Sequence, residues 1–279
     1  MGYLGLEHTP LAGILESLEQ ARDPRTVGWL YAWNPIPIHL ILVAYVYFVK
    51  YLGPEWMKDR KPFALVGIMR LYNVSMVVLN FCFMVYFFKH TYLTGNYNWL
   101  CTGIEFKQTA QSMAVLHGCW WYLHVRMAEF LDTVFFVLRK KNSQVSRLHV
   151  IHHCIVVWNG WVGLTFGAEG QIMICICINC LVHVVMYSYY FLSSFGPALQ
   201  PYLWWKRYLT LVQIVQLAFF RRVRHGAHVL RVRIPEDAAL DRLHAGLPPA
   251  RALLQLLLPR LSRDSPSSSD PSDGGPAPL

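Results

Sequence analysis

The chain has 279 residues, 54% of them hydrophobic, 14% aromatic and only 15% charged, with a formal net charge of +9. A soluble domain carries about 25% charged residues, so the composition excludes an ordinary soluble globular protein and predicts an all-α, polytopic helical membrane protein. The positive charge does not point to nucleic acid, because the basic residues cluster in short loops between apolar runs, as membrane topology demands.

Residues 1–34 read as an extramembrane amino-terminal segment. They lack the charged, apolar and small-residue order of a cleaved signal, so the internal spans are expected to direct membrane entry. Crossing ~30 Å of hydrocarbon takes about 20 apolar residues in a helix. This predicts spans at 36–52, 65–88, 112–138, 149–167 and 171–193, with a sixth beginning near 204. Residues 35–220 thus form one transmembrane domain. Basic residues alternate between its loops. Lys50, Lys58, Arg60 and Lys61 follow the first span, Arg139, Lys140, Lys141 and Arg147 the third, and Lys206 and Arg207 the fifth. Arg22, Arg25, Lys89 and Lys107 stand on the other side. The positive-inside rule puts the amino terminus outside the cytosol and the 139–148 loop within it.

Four spans carry polar residues at helical spacing, where positions three and four apart share a face. The third has "RMAEFLDT", with Arg126, Glu129, Asp132 and Thr133. The fourth opens with "LHVIHH", with His149, His152 and His153. The fifth has "NCLVHVVMYSYY", with Asn179, His183, Met186, Tyr187 and Tyr190. The sixth opens with "TLVQIVQ", with Thr210, Gln213 and Gln216. At ~1.5 Å per residue, all four runs fall in the cytosolic half of the bilayer, from about 5 to about 15 Å deep. Polar groups so placed normally face a bundle interior or a wet cavity, which predicts a polar chamber open to the cytosol. Several of these residues also have a packing reading. His183, Gln213 and Gln216 suit interhelical hydrogen bonds, and Arg126 with Glu129 suits an ion pair one turn apart.

HxxHH also occurs in membrane di-iron enzymes, which draw imidazoles from several boxes. Here there is one box and no HxxxH outside it, and His39, His117, His124 and His183 are the other intramembrane histidines. That supply does not comfortably bind two irons, and no metal is expected. Six of the seven cysteines lie in apolar segments and Cys101 in a polar loop, with no CxxC. They form neither a disulfide framework nor a zinc site.

Beyond Phe220 the composition changes. Residues 221–279 contain no aromatic residue other than histidine and no lysine, but nine arginines and half of the 16 prolines. They read as an atypical, largely disordered tail, of the kind a shifted frame, an alternative exon or a divergent end would produce. The sixth span would stop there, after about 12 apolar residues, well short of the ~20 a crossing needs.

The ordered set "EFLDT" (129–133), "LRKK" (138–141), "LHVIHH" (148–153), "NCLVHVVMYSYY" (179–190), "QPYLWWKRYLT" (200–210) and "QIVQ" (213–216) resembles the very-long-chain fatty acid elongase (ELO) family. The resemblance covers roughly residues 24–219. It implies a 3-oxoacyl-CoA synthase of the endoplasmic reticulum membrane. Such an enzyme condenses malonyl-CoA with a long-chain acyl-CoA to give a 3-oxoacyl-CoA, CO2 and free CoA. The two CoA esters enter as substrates and no cofactor is tightly bound. The implied surroundings are membrane lipid, other enzymes of the elongation cycle and a homo-oligomer, with a lumenal amino terminus and a site opening to the cytosol.

Under that chemistry His152 is the expected acyl-accepting nucleophile. His183 would polarise the thioester or exchange protons, and His149 and His153 would orient the nucleophile. Asn179 and Gln213 would donate to the oxyanion, and Asp132 or Glu129 would fix an imidazole tautomer. Arg139, Lys140 and Lys141 would meet CoA phosphates. Arg126, Glu129, Met186, Tyr187, Tyr190, Thr210 and Gln216 complete the expected substrate-lining set. The chain departs from the family pattern at Arg126, where lysine is usual, and after Phe220, where the family has a complete sixth and a seventh span. It also lacks a late lumenal cysteine, the family's partner for the one at Cys101. A catalytically inactive, truncated elongase-like protein that modulates full-length partners is the alternative expectation.

Overall fold

The computed structural model describes residues 10–94, 97–99 and 102–229, whose regular elements are all helices, without a strand among them. The first helix, α1 (Pro10–Gln20), lies in the amino-terminal segment. α2 (Ile36–Tyr47) starts behind Pro35 and runs through a wide π-type turn at Phe48–Leu52 into α3 (Gly53–Met57). α4 (Val66–Phe88) is extended by a second such turn, Lys89–Leu93. α5 (Ala110–Ala128) is capped by Thr109, whose side chain accepts from the Ser112 N–H at 3.1 Å. α6 (Phe130–Leu138) follows after a tightened turn at Glu129. α7 (Arg147–Phe166) is capped by Ser146, which accepts from the His149 N–H at 3.2 Å. These caps satisfy amide donors that a helix start leaves without an intrahelical partner. α8 (Ile172–Ser193) and α9 (Lys206–Val229) complete the described elements.

Among the described residues, three stretches are long and apolar enough to cross a membrane: Ile36–Met57, Val66–Leu93 and Ile172–Ser193. The sequence reading counts two further spans, at 112–138 and 149–167. Their helices are present, but α5 with α6 carries Arg126, Glu129 and Asp132, and α7 carries three histidines. These side chains face inward, where polar groups in a membrane protein belong. α9 does not stop at Phe220 but continues as helix to Val229. Residues 230–279, and with them most of the expected tail, lie outside the described residues, as does Cys101.

α4 packs most extensively against α8, α5 against α7, and α9 rests on α8. Leu116 and Leu123 of α5, Val157 and Leu164 of α7, and Met173 and Cys180 of α8 form the middle of the apolar core. At the end opposite the 139–148 loop, the amino-terminal segment is stitched to the bundle. The Asp23 N–H donates to the Thr165 carbonyl at 2.8 Å, Trp161 Nε1 to the Tyr31 carbonyl at 2.8 Å, and Thr165 Oγ1 to the Ala32 carbonyl at 2.8 Å. Arg25, its side chain fully buried, pairs with Asp23 at 2.6 Å and Glu169 at 3.1 Å. Burial pushes the Glu169 carboxyl above the usual carboxylate range, against the opposing pull of its Ser112 hydrogen bond and the Arg25 charge.

Candidate active site

The break between α5 and α6 is the centre of the polar array. Arg126, Glu129 and Asp132 stand about one turn apart along this rod, with Thr133 next to Asp132 on an adjoining face, so each meets a different neighbour. Arg126 is 1% exposed. Its Nη2 donates to Asn80 Oδ1 of α4 at 2.5 Å, and its Nη1 to Asn179 Oδ1 of α8 at 3.2 Å. The guanidinium lies 4.5 Å from the centre of the Tyr122 ring, and the Tyr122 hydroxyl donates to the same Asn179 oxygen at 2.8 Å. Nη2 also approaches Glu129 Oε1 at 2.9 Å, an ion pair whose angle is not that of a hydrogen bond.

Glu129 is the bridge to α8. Its Oε1 lies 3.5 Å from His183 Nε2. His183 Nδ1 is 2.8 Å from the Asn179 carbonyl, which can only accept, so Nδ1 carries a proton. In the neutral ring the Nε2 lone pair therefore faces inward. One turn further on, the Tyr187 hydroxyl donates to Asp132 Oδ2 at 2.6 Å. The Tyr72 hydroxyl of α4 stands 3.5 Å from that of Tyr187.

Thr133 turns to α7. Its Oγ1 lies 2.8 Å from His149 Nε2 and 2.8 Å from the Tyr45 hydroxyl of α2. The His149 and His153 rings meet edge to face at 4.4 Å, and the His152 ring lies 5.7 Å from that of His153. His153 is buried and His152 half-buried. Among the described residues neither His152 nor His153 has a hydrogen-bonding protein partner.

The remaining expected residues divide. Gln213 Nε2 of α9 points at Met186 Sδ of α8, 3.6 Å away. Gln216 is buried and Thr210 half-buried on the same helix. Tyr190 is 38% exposed, so it lies at the edge of the array rather than within it. Arg139, Lys140 and Lys141 do not touch the histidines. They line an open pocket of about 400 Å³ with Pro62, Phe63, Ala64 and Val66. Lys140 Nζ donates to the Lys58 carbonyl at 2.9 Å, and its backbone adopts the left-handed conformation (φ 55°). Among the described residues no three His, Cys, Asp or Glu side chains form a group suited to a metal ion. Sequence reasoning did not select Tyr45, Tyr72, Asn80 or Tyr122. Asn80 had a usable signal, an amide alone in the apolar run "MVVLNFCF"; the tyrosines had none.

The model of the family described as ELO: GNS1/SUR4 matches residues 30–231. The chain belongs to the ELO family. The match in this ELO protein passes Phe220, as helix α9 does. It is 46% identical over 194 residues to very long chain fatty acid elongase 7 of Rattus norvegicus, covering 70% of this chain and 69% of that protein. It is 43% identical over 213 residues to very long chain fatty acid elongase 4 of Homo sapiens, covering 76% and 67%. With very long chain fatty acid elongase 1 of Homo sapiens the identity is 39% over 206 residues, 74% of each.

Proposed function

We propose that this ELO protein is a fatty acid elongase that condenses malonyl-CoA with a long-chain acyl-CoA. The products are a 3-oxoacyl-CoA two carbons longer, CO2 and free CoA. The observation that carries the reading is the convergence of Arg126, Glu129, Asp132, Asn179, His149, His153 and His183 on the α5–α6 break. Its support is membership of a family whose relatives are named very long chain fatty acid elongases.

The chemistry follows from two imidazoles beside that array, His152 and His153, that no protein group engages by hydrogen bonding among the described residues. A nitrogen of His152 attacks the acyl thioester carbonyl; the N–C bond forms, the C–S bond breaks, and the CoA thiolate takes a proton. Malonyl-CoA then loses CO2, and its enolate carbon attacks the acyl-imidazole, forming the new C–C bond and freeing His152. One proton is consumed per turnover. His183 Nε2 and the Asn179 and Gln213 amides are suited to meet the oxyanions. Arg139, Lys140 and Lys141 supply cations for CoA phosphates. The site opens to the cytosol from the endoplasmic reticulum membrane, with other elongation-cycle enzymes and a second copy of the chain as partners.

Purified protein given acyl-CoA alone should release CoA and gain the acyl mass on His152. His152→Ala should lose both, with turnover down by at least about 100-fold. An alanine variant that still acylates and elongates would remove His152 from this role. A parent chain with neither acylation nor turnover would favour an inactive elongase-like modulator of full-length partners.

A further inference from the structure

Among the three histidines of the box, His149 differs in having a nitrogen already engaged. Its Nε2 lies 2.8 Å from Thr133 Oγ1, and Thr133 Oγ1 lies 2.8 Å from the Tyr45 hydroxyl. Thr133 is fully buried and Tyr45 is 6% exposed. A hydroxyl has one proton to donate and two lone pairs to accept with. Thr133 is the one hydrogen-bond partner of the Tyr45 hydroxyl among the described residues. If that hydroxyl merely accepted, its own proton would be buried without a partner, which is costly. Tyr45 is therefore the donor to Thr133. Thr133 in turn spends its single proton on His149 Nε2, and the neutral His149 ring carries its proton on Nδ1.

The same groups hold His153. The Tyr45 ring stacks on Phe130 at 4.0 Å and 12°. Both rings flank His153, at centroid distances of 6.4 Å from Tyr45 and 6.2 Å from Phe130. His149 closes the third side, edge to face at 4.4 Å. The only residue of the box without such a clamp is His152.

We infer that Tyr45 and Thr133 are positioning residues: a hydrogen-bond relay from α2 through α6 fixes the tautomer and ring plane of His149, and through its packing on His153 sets the direction of His152. His149 Nε2 is thereby withdrawn from substrate. The consequence for turnover rests on the elongase reading; the relay itself does not.

The test uses the full chain in detergent and diethylpyrocarbonate, which acylates unprotonated imidazole nitrogens that are free. Fragment-ion mass spectrometry separates His149 from its neighbours. In Thr133→Val, nearly isosteric but without a hydroxyl, labelling of His149 should rise about fivefold, the worth of one hydrogen bond. Thr133→Ser should restore the parent rate. Tyr45→Phe, which keeps the stack on Phe130, should show an intermediate rise. With acyl-CoA and malonyl-CoA, Thr133→Val should lose about tenfold or more in kcat. Its KM for acyl-CoA should stay within about twofold, the pattern of lost orientation rather than lost binding, and Thr133→Ser should recover kcat. Unchanged His149 labelling in Thr133→Val would overturn the relay whatever the activity, as would a serine variant labelled like the valine one. A parent without turnover whose Thr133→Val form still shows the rise would sink the elongase reading and leave the relay standing.

Discussion

Arg126 keeps a charge in a place where 1% of its surface is exposed, and the cost of that burial explains its surroundings. Two amides from different helices, one carboxylate and one aromatic face share the guanidinium. Removing the cation would leave Glu129 buried with no compensating charge except a protonated His183. Arg126→Met should therefore cost about 3–5 kcal/mol, the usual loss when one partner of a buried pair is deleted. Arg126→Lys keeps the charge but gives up the planar fork that serves Asn80 and Asn179 together, and should cost about 1–2 kcal/mol. Thermal unfolding in detergent should rank the three proteins parent, lysine, methionine. Equal melting of parent and methionine variant would show that the pair contributes no net stability. At this scale the sequence was half legible. Arg126, Glu129 and Asp132, like His149, His152 and His153, announce themselves by helical spacing. Asn80 stands out as a lone amide in an apolar run, but nothing local names Arg126 as its partner, and nothing local marks Tyr45 at all.

At the scale of elements, the polar array depends on how closely α5 approaches its neighbours. Gly118 allows the approach to α4: a Cβ there would lie 2.6 Å from Tyr86 Cε1 and 2.9 Å from Phe87 Cε1. Both rings are held, Phe87 by full burial and Tyr86 by a 2.8 Å hydrogen bond from its hydroxyl to the Ala114 carbonyl. Gly118→Ala should gain up to ~1 kcal/mol of helix propensity and lose about 1–3 kcal/mol to overpacking, so the clash wins. Gly67, on α4, has nothing within 4 Å of its would-be Cβ. Gly67→Ala should be neutral or slightly stabilising, and the two variants together separate propensity from packing in one melting experiment. The helices of the first five expected spans lie within a few residues of their predicted bounds, whereas α1, the caps at Thr109 and Ser146 and the run of α9 past Phe220 were not foreseen. Nor was the interruption at Glu129, because "RMAEFLDT" has good helix formers throughout.

For the whole molecule, the alternation of basic loops implies an orientation that chemistry can check. The 139–148 loop should face the cytosol and the 102–109 loop the opposite compartment. In sealed microsomes Asn142→Cys should gain one label from a membrane-impermeant maleimide, whereas Gln108→Cys should gain its label only after detergent. The reverse pattern would invert the topology and the proposed cytosolic entry of CoA esters. Both positions are exposed, so access is set by the membrane rather than by packing. The far end of the bundle is closed by a feature that neither hydropathy nor spacing foretold, the buried Arg25 with Asp23 and Glu169, two of them 144 residues apart in the chain. Composition, loop charge and a period of about 3.6 residues per turn dictate an all-helical membrane protein with polar stripes on four helices, because those properties are local. Which stripe meets which was decided only by the packing of α4 on α8 and of α5 on α7. Hydrogen bonds such as Tyr45 to Thr133 or Arg126 to Asn80 span 88 and 46 residues, and no local preference encodes contacts over such separations.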